Sequence, residues 1–388
     1  MKKQTVFVGL SGGVDSAVSA ALLQKKGYEV VGVFIRTWHP EFLACNEEDE
    51  RRDAMRIAAH LDIPFLTFDL EKVYKKEVGE YMINEYKKGR TPNPDVMCNK
   101  EVKFGAFLKK ALGMGALVRP SAEIYVATGH YAQISEKGLA LGIQKGKTLG
   151  RNLYKGADPA KDQSYFLWTL TQRQLSKIIF PVGGLKKEEV RKLAKKFKLP
   201  VAEKKDSQGI CFLGPVDLKK FLSHYIKPKK GKVLLARQSL GDGGDKGGGI
   251  IGHHGGAAFF TLGERHGFTI TKKTSEDKRY YIVAKNLKKN VLVVSNYPLR
   301  PSDTSPYSRG RTGRGIRIEN TNWISKVPDQ SRRYIAQIRY HGELLPCQVK
   351  VFSKNKAEVV FDKPVLAASG QSIVIYSGAF CLGGGVVV

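Results

Sequence analysis

The sequence predicts an α/β fold: an N-terminal doubly wound parallel sheet, a small helical middle domain and a C-terminal β-barrel-like domain. Three observations predict it. Apolar runs alternate with helical-period segments from Thr5 to about Ala127, the helical period stands alone from 171 to about 228, and from Gly231 onward the period falls to two. The expected domains are therefore 1–170, 171–230 and 231–388.

In the first domain, the apolar run Thr5 to Gly9 reads as a strand, followed by a glycine turn. A helix follows over Ala17 to Lys26, with Val18, Ala21 and Leu22 on one face. Glu29 to Ile35 reads as the second strand. A helix at Glu47 to Leu61, a strand at Pro64 to Asp69, a helix at Val73 to Lys88 and a strand at Ile124 to Ala127 continue the alternation, which places a ligand site at the carboxyl ends of the strands. In the middle domain the apolar positions are Leu175, Ile178 and Ile179, then Val190, Leu193 and Phe197, then Leu218, Phe221 and Leu222. Residues 186–198 carry seven Lys/Arg and two Glu, a pattern that either solvates a helix face or meets phosphates. In the last domain Tyr334, Ala336, Ile338 and Tyr340 alternate with Ile335, Gln337 and Arg339. Residues 241–256, nine of sixteen glycine, read as a mobile loop. Residues 300–340 interleave eight arginines with Tyr307, Trp323 and Tyr334, either an RNA-facing surface or a solvated one.

Composition narrows the function. The 388 residues carry 65 Lys+Arg and 36 Asp+Glu, a formal charge of +29, and 42% are hydrophobic. That balance excludes wholesale disorder and makes a polyanion such as nucleic acid the expected partner, since neutralised phosphates release counterions. No apolar run approaches the ~20 residues of a membrane span, and the start, MKKQTVFVGLSGG, reads as strand rather than leader, so a cytoplasmic location is expected. Five cysteines, Cys45, Cys98, Cys211, Cys347 and Cys381, are scattered without a C-x-x-C pair, which argues against a disulfide framework and against zinc. His253, His254 and His266 lack helical i, i+4 spacing, and no metal site is expected.

Ser11-Gly12-Gly13-Val14-Asp15-Ser16 lies between the first strand and the first helix. Glycines there let backbone N–H groups close on an anion at a helix N-terminus. It is neither a Walker A loop nor G-x-G-x-x-G, and it resembles the PP-loop of ATP pyrophosphatases, which adenylate a substrate and release pyrophosphate and AMP. Two cysteines have unusual neighbours. Cys98 lies in Asn93-Pro94-Asp95-Val96-Met97-Cys98-Asn99-Lys100, where a helix start and Lys100 would favour its thiolate; Cys211 lies in a glycine turn, Asp206-Ser207-Gln208-Gly209-Ile210-Cys211-Phe212. Taken alone, each cysteine is more often a small buried hydrophobe.

Together with 127–132 (ATGHYA), 161–167 (KDQSYFL), Arg339-Tyr340 and 381–385 (CLGGG), these motifs run through nearly the whole chain in an order that resembles the tRNA 2-thiouridylase family. The resemblance implies a PP-loop ATPase domain, a helical linker domain that contacts tRNA and a C-terminal barrel. It implies ATP, with Mg2+ as its counter-ion, held by Gly9, Leu10, Ser11, Gly12, Gly13, Val14, Asp15, Ser16, Ile35 and Gly129. It further implies contact of Asn93, Pro94 and Asp95 with the target base, and of His130, Lys161, Asp162, Gln163, Arg339, Tyr340 and Gln371 with tRNA. By the same resemblance Cys211 carries sulfur as a persulfide, Cys98 is the nucleophile or resolves the persulfide as a disulfide, and Asp95 is the acid/base. The implied reaction is 2-thiolation of the wobble uridine in Glu, Gln and Lys acceptor tRNAs, with sulfur from a cysteine desulfurase or sulfur relay protein.

Two departures stand out: Ala17 where many relatives have serine, and Glu264 in Gly263-Glu264-Arg265-His266-Gly267 where Gln is usual, which would put a carboxylate on an RNA surface. Rival readings are another PP-loop adenylating enzyme, such as a different tRNA thiolase, a lysidine synthetase or an amide synthetase, and a non-enzymatic RNA-binding module.

Overall fold

The computed structural model describes residues 4–43, 46–118, 123–136, 150–206, 209, 211, 217–236, 249–272, 279–296 and 311–388. Cys45, Tyr307 and residues 241–248 lie outside them.

Strands β1 (Gln4–Gly9), β2 (Glu29–Arg36), β3 (Phe65–Asp69), β4 (Glu123–Ala127) and β7 (Ile178–Ile179) form one sheet in the order β3-β2-β1-β4-β7, every pair parallel. Alternation sends Val6 and Val8 to one face and Phe7 to the other, and both faces are buried, which is why the strands are apolar throughout. Helix α1 (Val14–Lys25) and helix α2 (Glu47–His60) cover the first face. The helix Lys187–Lys196 packs there too, through Val190 and Ala194. Thus β7 and this helix, from the segment expected to be a separate helical unit, pack on the first sheet. The strand order reverses direction between β1 and β4, so the loops leaving these two strands flank a crevice suited to a ligand.

The other face packs against a long helical run that begins at Pro94 and passes through three windings: α at Pro94–Met97, π at Cys98–Phe107 and α at Leu108–Val118. Val73 to Lys88, expected as one helix, is likewise interrupted by a π segment at Lys75–Glu80.

Two β units follow. Strands β8 (Gly231–Leu235), β9 (Ile250–His254), β10 (Phe268–Ile270), β11 (Tyr281–Asn286) and β12 (Val291–Ser295) form a sheet in the order β10-β9-β8-β12-β11. Residues 250–254 are therefore strand, correcting the expectation of a loop: Ile250, Ile251 and the two histidines supply enough side chain to pair on both edges. Strands β13 (Arg311–Trp323), β14 (Tyr334–Gln337), β15 (Leu344–Ser353), β16 (Lys356–Ala367), β17 (Ser372–Ser377) and β18 (Phe380–Val387) close into a barrel through β13–β18 pairing. A hairpin from the N-terminal half, β5 (Ala132–Glu136) and β6 (Arg151–Lys155), joins this barrel at β18, a pairing that local patterning does not announce.

Two expectations about RNA surfaces are corrected. Tyr334 is buried in the barrel core in phase with Ala336, and Trp323 packs against that core after a register shift between Glu319 and Asn322 breaks the alternation set by Ile316 and Ile318; Arg333 pairs with Asp362. Glu264 does not face solvent as a free carboxylate: it accepts from Lys219 at 2.7 Å and from the Thr261 N–H at 3.0 Å.

Candidate active site

The loop after β1 and the loop after β4 meet. An added Cβ on Gly129 would lie 2.8 Å from the Ser16 nitrogen and 2.9 Å from Asp15, so the two loops abut backbone to backbone. Gly12, at φ +69°, would put a Cβ 2.5 Å from the Glu50 carbonyl oxygen. Both positions need glycine. Ser16 Oγ donates to the Gly13 carbonyl at 3.0 Å and accepts from the Ser11 N–H at 3.3 Å, closing the loop on itself. Gly13 caps α1 with no side-chain acceptor on the helix N–H groups, leaving that N-terminus open to an anion. Leu10 and Ile35 are both buried, in the apolar clusters on opposite faces of the sheet.

A cluster of cations stands beside this loop. Lys187 donates to Asp15 at 2.6 Å and pairs with Asp206 at 2.9 Å; Lys161 and Arg191 reach Asp206 at 2.7 and 2.6 Å. Tyr131 OH donates to the same Asp15 oxygen at 2.7 Å. Burial opposes ionisation of Asp206, but Lys161 and Lys187 outweigh it and bring its carboxyl down to about 2. The lysine-rich helix thus turns two of its charges inward, onto Asp15 in the first turn of α1 and onto Asp206.

The second constellation is the thiol pair. The Cys98 and Cys211 sulfurs lie 3.5 Å apart, with Cys98 donating. The backbone of Cys211 is gripped on both sides: its N–H donates to Asp95 Oδ1 at 3.0 Å, and its carbonyl accepts from Tyr74 OH at 2.7 Å. Burial, then the hydrogen bond with Cys211, push the Cys98 thiol well above its ordinary value. The hydrogen bond from Cys98, helped by the Lys103 ammonium against burial, brings Cys211 down to about 7. Burial pushes the Asp95 carboxyl up, which suits an acid/base group.

Lys100 does not serve these thiols, contrary to the sequence expectation. It pairs with Glu101 at 2.7 Å, and the ammonium beside the sulfurs is that of Lys103. Lys103 and Tyr74 were missed because neither winding nor long-range packing is legible from spacing.

The segment bearing Asn93 is held by both β units. Thr91 N–H donates to the Ser369 carbonyl at 2.7 Å, Thr91 Oγ1 meets Thr261 Oγ1 at 3.2 Å, and Gly370 abuts the Thr91 backbone. Asn93 Oδ1 accepts from the Val96 N–H at 3.1 Å, with Pro94 in the first turn. Gln371 Oε1 accepts from the Ala368 N–H at 3.0 Å and so braces the loop that touches Thr91. Tyr340 lies against Phe166, ring centroids 4.4 Å apart and planes tilted by 45°; burial, then the nearby Asp162 and Asp95 carboxylates, push its hydroxyl up to about 12. Arg339 is exposed, its guanidinium over Gly263.

Other expected contact residues are engaged internally. Asp162 accepts from the N–H groups of Gly156 and Ser164, and Gln163 Oε1 accepts from the Tyr131 N–H. His130 is buried, its Nδ1 2.6 Å from Thr128 Oγ1 and its ring in a three-ring cluster with Phe104 and Phe180; burial and the Lys103 charge keep it neutral. Among the described residues there is no group of three or more His, Cys, Asp or Glu that could hold a metal ion.

Three family models cover most of the chain: tRNA methyl transferase HUP domain at 4–215, tRNA methyl transferase PRC-barrel domain at 219–296, and aminomethyltransferase beta-barrel domain at 313–387. Curated relatives match along the full length. The tRNA-specific 2-thiouridylase MnmA of Geobacillus thermodenitrificans is 40% identical over 98% of this chain and 94% of its own; that of Streptococcus mutans is 40% identical over 99% and 95%. The models' wording names methyl transfer, whereas these relatives are thiouridylases, and full-length identity outweighs a model's wording. A solved 4-thiouridine synthetase–RNA complex with bound ATP is far more distant, at 18% identity and a TM-score of 0.33 over 57% of this chain and 50% of that one.

Proposed function

The chain belongs to the tRNA-specific 2-thiouridylase family of tRNA sulfurtransferases, and from that premise we propose ATP-dependent 2-thiolation of the wobble uridine, with sulfur delivered from a persulfide on Cys211. The observation that carries this reading is the pairing of two thiols of opposite tendency, Cys211 toward thiolate and Cys98 toward thiol. A sulfur carrier must be thiolate when sulfur arrives, and a partner that keeps its proton until a later step leaves that sulfur to Cys211.

The glycine loop at α1, with Gly129 against it, suits the nucleotide: open N–H groups and room that only glycine leaves. Mg2+ would arrive as the nucleotide's counter-ion. Lys187 and Arg191 stand ready to meet phosphate charge. Asp206 belongs to that cation cluster and is five residues from Cys211, so the two centres are joined by at most about 18 Å of extended chain.

The uracil C2 oxygen attacks the α-phosphate and pyrophosphate leaves, which makes AMP the leaving group at C2. The terminal sulfur of the Cys211 persulfide then attacks C2 and AMP departs. Cys98 gives its proton to Asp95 and, as thiolate, attacks Cys211 Sγ; the bond between the two persulfide sulfurs breaks, its electron pair stays with the sulfur on C2, and a Cys98–Cys211 disulfide forms. A thiol reductant restores both thiols. Asp95, raised by burial and fixed on the Cys211 backbone, is the acid/base group. Asn93, Pro94 and Asp95 face the target base, and Arg339, Tyr340 and Gln371 stand on the barrel side of the same segment. His130, Lys161, Asp162 and Gln163 hold the loops that frame it, His130 as a neutral ring. The substrate set (Glu, Gln and Lys acceptor tRNAs), the donor (a cysteine desulfurase or relay protein) and a cytoplasmic location complete the reading.

Nucleoside mass spectrometry on unmodified tRNA incubated with the protein, Mg-ATP and a persulfide source tests it. 2-Thiouridine at the wobble position is expected. AMP release without it would point to a different acceptor.

A further inference from the structure

We propose that Lys103 is a further catalytic residue: its ammonium holds the negative charge on the sulfur of Cys211, first as thiolate and then as persulfide, and thereby makes Cys211 rather than Cys98 the sulfur acceptor. This rests on the sulfur-transfer reading above.

The geometry comes from an unusual winding. In an α-helix residue 103 would lie about 140° around the axis from residue 98. The segment Cys98–Phe107 is instead π-helical, with hydrogen bonds running i→i+5, and this winding brings position 103 back toward the face of position 98. Lys103 there donates a hydrogen bond to the Cys211 sulfur and lies within reach of the Cys98 and Asp95 charges. Among the described residues, the charged and titratable groups around Cys211 are four: Cys98 and Lys103 from the π segment, Asp95 from the turn before it, and Tyr74 from the opposing helix. Tyr74 is held neutral by burial, and Asp95 opposes a second negative charge. Lys103 is therefore the one cation of the set. Because the Cys98 thiol donates its hydrogen bond to Cys211, a single negative charge on the pair sits on Cys211, where the ammonium and the thiol hydrogen stabilise it on the same sulfur.

When Cys211 thiolate attacks the outer sulfur of a donor persulfide, the new S–S bond forms as the donor's S–S bond breaks, and the donor leaves as thiolate. The outer sulfur arrives with its proton, which passes to the departing donor thiolate, so the single negative charge ends one atom outward from Cys211 Sγ on the terminal sulfur, still beside the flexible lysine end. Neutral side chains at 103 leave that charge without its cation in a low-dielectric site.

The test is the pH dependence of Cys211 alkylation by iodoacetamide, followed by peptide mass spectrometry on the full-length protein, in wild type, Lys103→Met and Lys103→Arg. Removing a facing charge shifts a pKa by about 1–3 units. The midpoint should rise by that amount in Lys103→Met and return close to the wild-type value in Lys103→Arg. ATP binding, at a separate site, reports whether each variant is folded, and Lys103→Gln replaces Lys103→Met if the latter is not. A folded neutral variant with the wild-type midpoint overturns the proposal. The titration needs neither tRNA, nucleotide nor donor, so it can fail while thiolation stands, and thiolation can fail while it stands.

Discussion

Cys98 and Cys211 are 113 residues apart in the chain, and their sulfurs are 3.5 Å apart in the fold, with the Cys98 thiol donating to Cys211. That one hydrogen bond makes two chemically identical residues unequal. Cys211 takes the negative charge, and the fully buried Cys98 keeps its proton.

Cys211→Ser should abolish 2-thiouridine formation and leave ATP binding intact, since the phosphate loop makes no use of this side chain. Nucleoside mass spectrometry beside an ATP titration checks both halves. Unchanged thiolation would remove Cys211 from the reaction.

Cys98→Ala removes the donor that favours the Cys211 thiolate. A hydrogen bond to a charged group is worth about 1.5–3 kcal/mol, so the alkylation midpoint of Cys211 should climb by roughly one to two pH units. Kinetic alkylation over pH 5 to 10 measures it.

In the wild type, sulfur loading should follow a rise with pH through a midpoint of about 7, the value to which Cys211 is lowered. The sign for stability is the same: a depressed pKa contributes stability that is complete above the ordinary thiol value of 9.0 and lost as pH falls through about 7. Urea denaturation at pH 6 and pH 8, compared with Cys211→Ala, should find the difference between the two proteins larger at pH 8.

Tyr74→Phe removes the hydroxyl that donates to the Cys211 carbonyl. A buried acceptor left unsatisfied costs about 1–3 kcal/mol, and the thiol would lose its fixed position. Thiolation should fall while ATP affinity is unaffected; equal loss of both would mean that Tyr74 supports the fold as a whole.

Gly12→Ala meets the Glu50 carbonyl oxygen at 2.5 Å from a left-handed backbone, and Gly129→Ala meets Ser16 and Asp15. Strain of order 1–3 kcal/mol should open the phosphate loop. Isothermal titration with ATP should lose binding in both, and a variant that binds normally would place the nucleotide elsewhere.

With a formal charge of +29, tRNA affinity should fall by about 10³ or more between 50 and 200 mM salt if several phosphates are neutralised. Filter binding at four salt concentrations gives the slope, and a flat profile would argue against a backbone-dominated interface.

The sequence by itself determined the β-α alternation, the glycine loop and its place between β1 and α1, the β character of the last third and the family resemblance. These are local: side-chain period, glycine φ freedom and motif order are written in neighbouring residues. Tertiary structure alone decided that β5 and β6 join the distant barrel, that Tyr334 and Trp323 face its core rather than RNA, and that Glu264 turns in to Lys219. It alone decided which lysine serves the thiols. Spacing favoured Lys100, but a π winding and the return of Cys211 over 113 residues brought Lys103 to the sulfurs. The physical reason is the same in each case: which charges and edges meet depends on how buried surfaces pack, and packing joins residues that no window of sequence holds together.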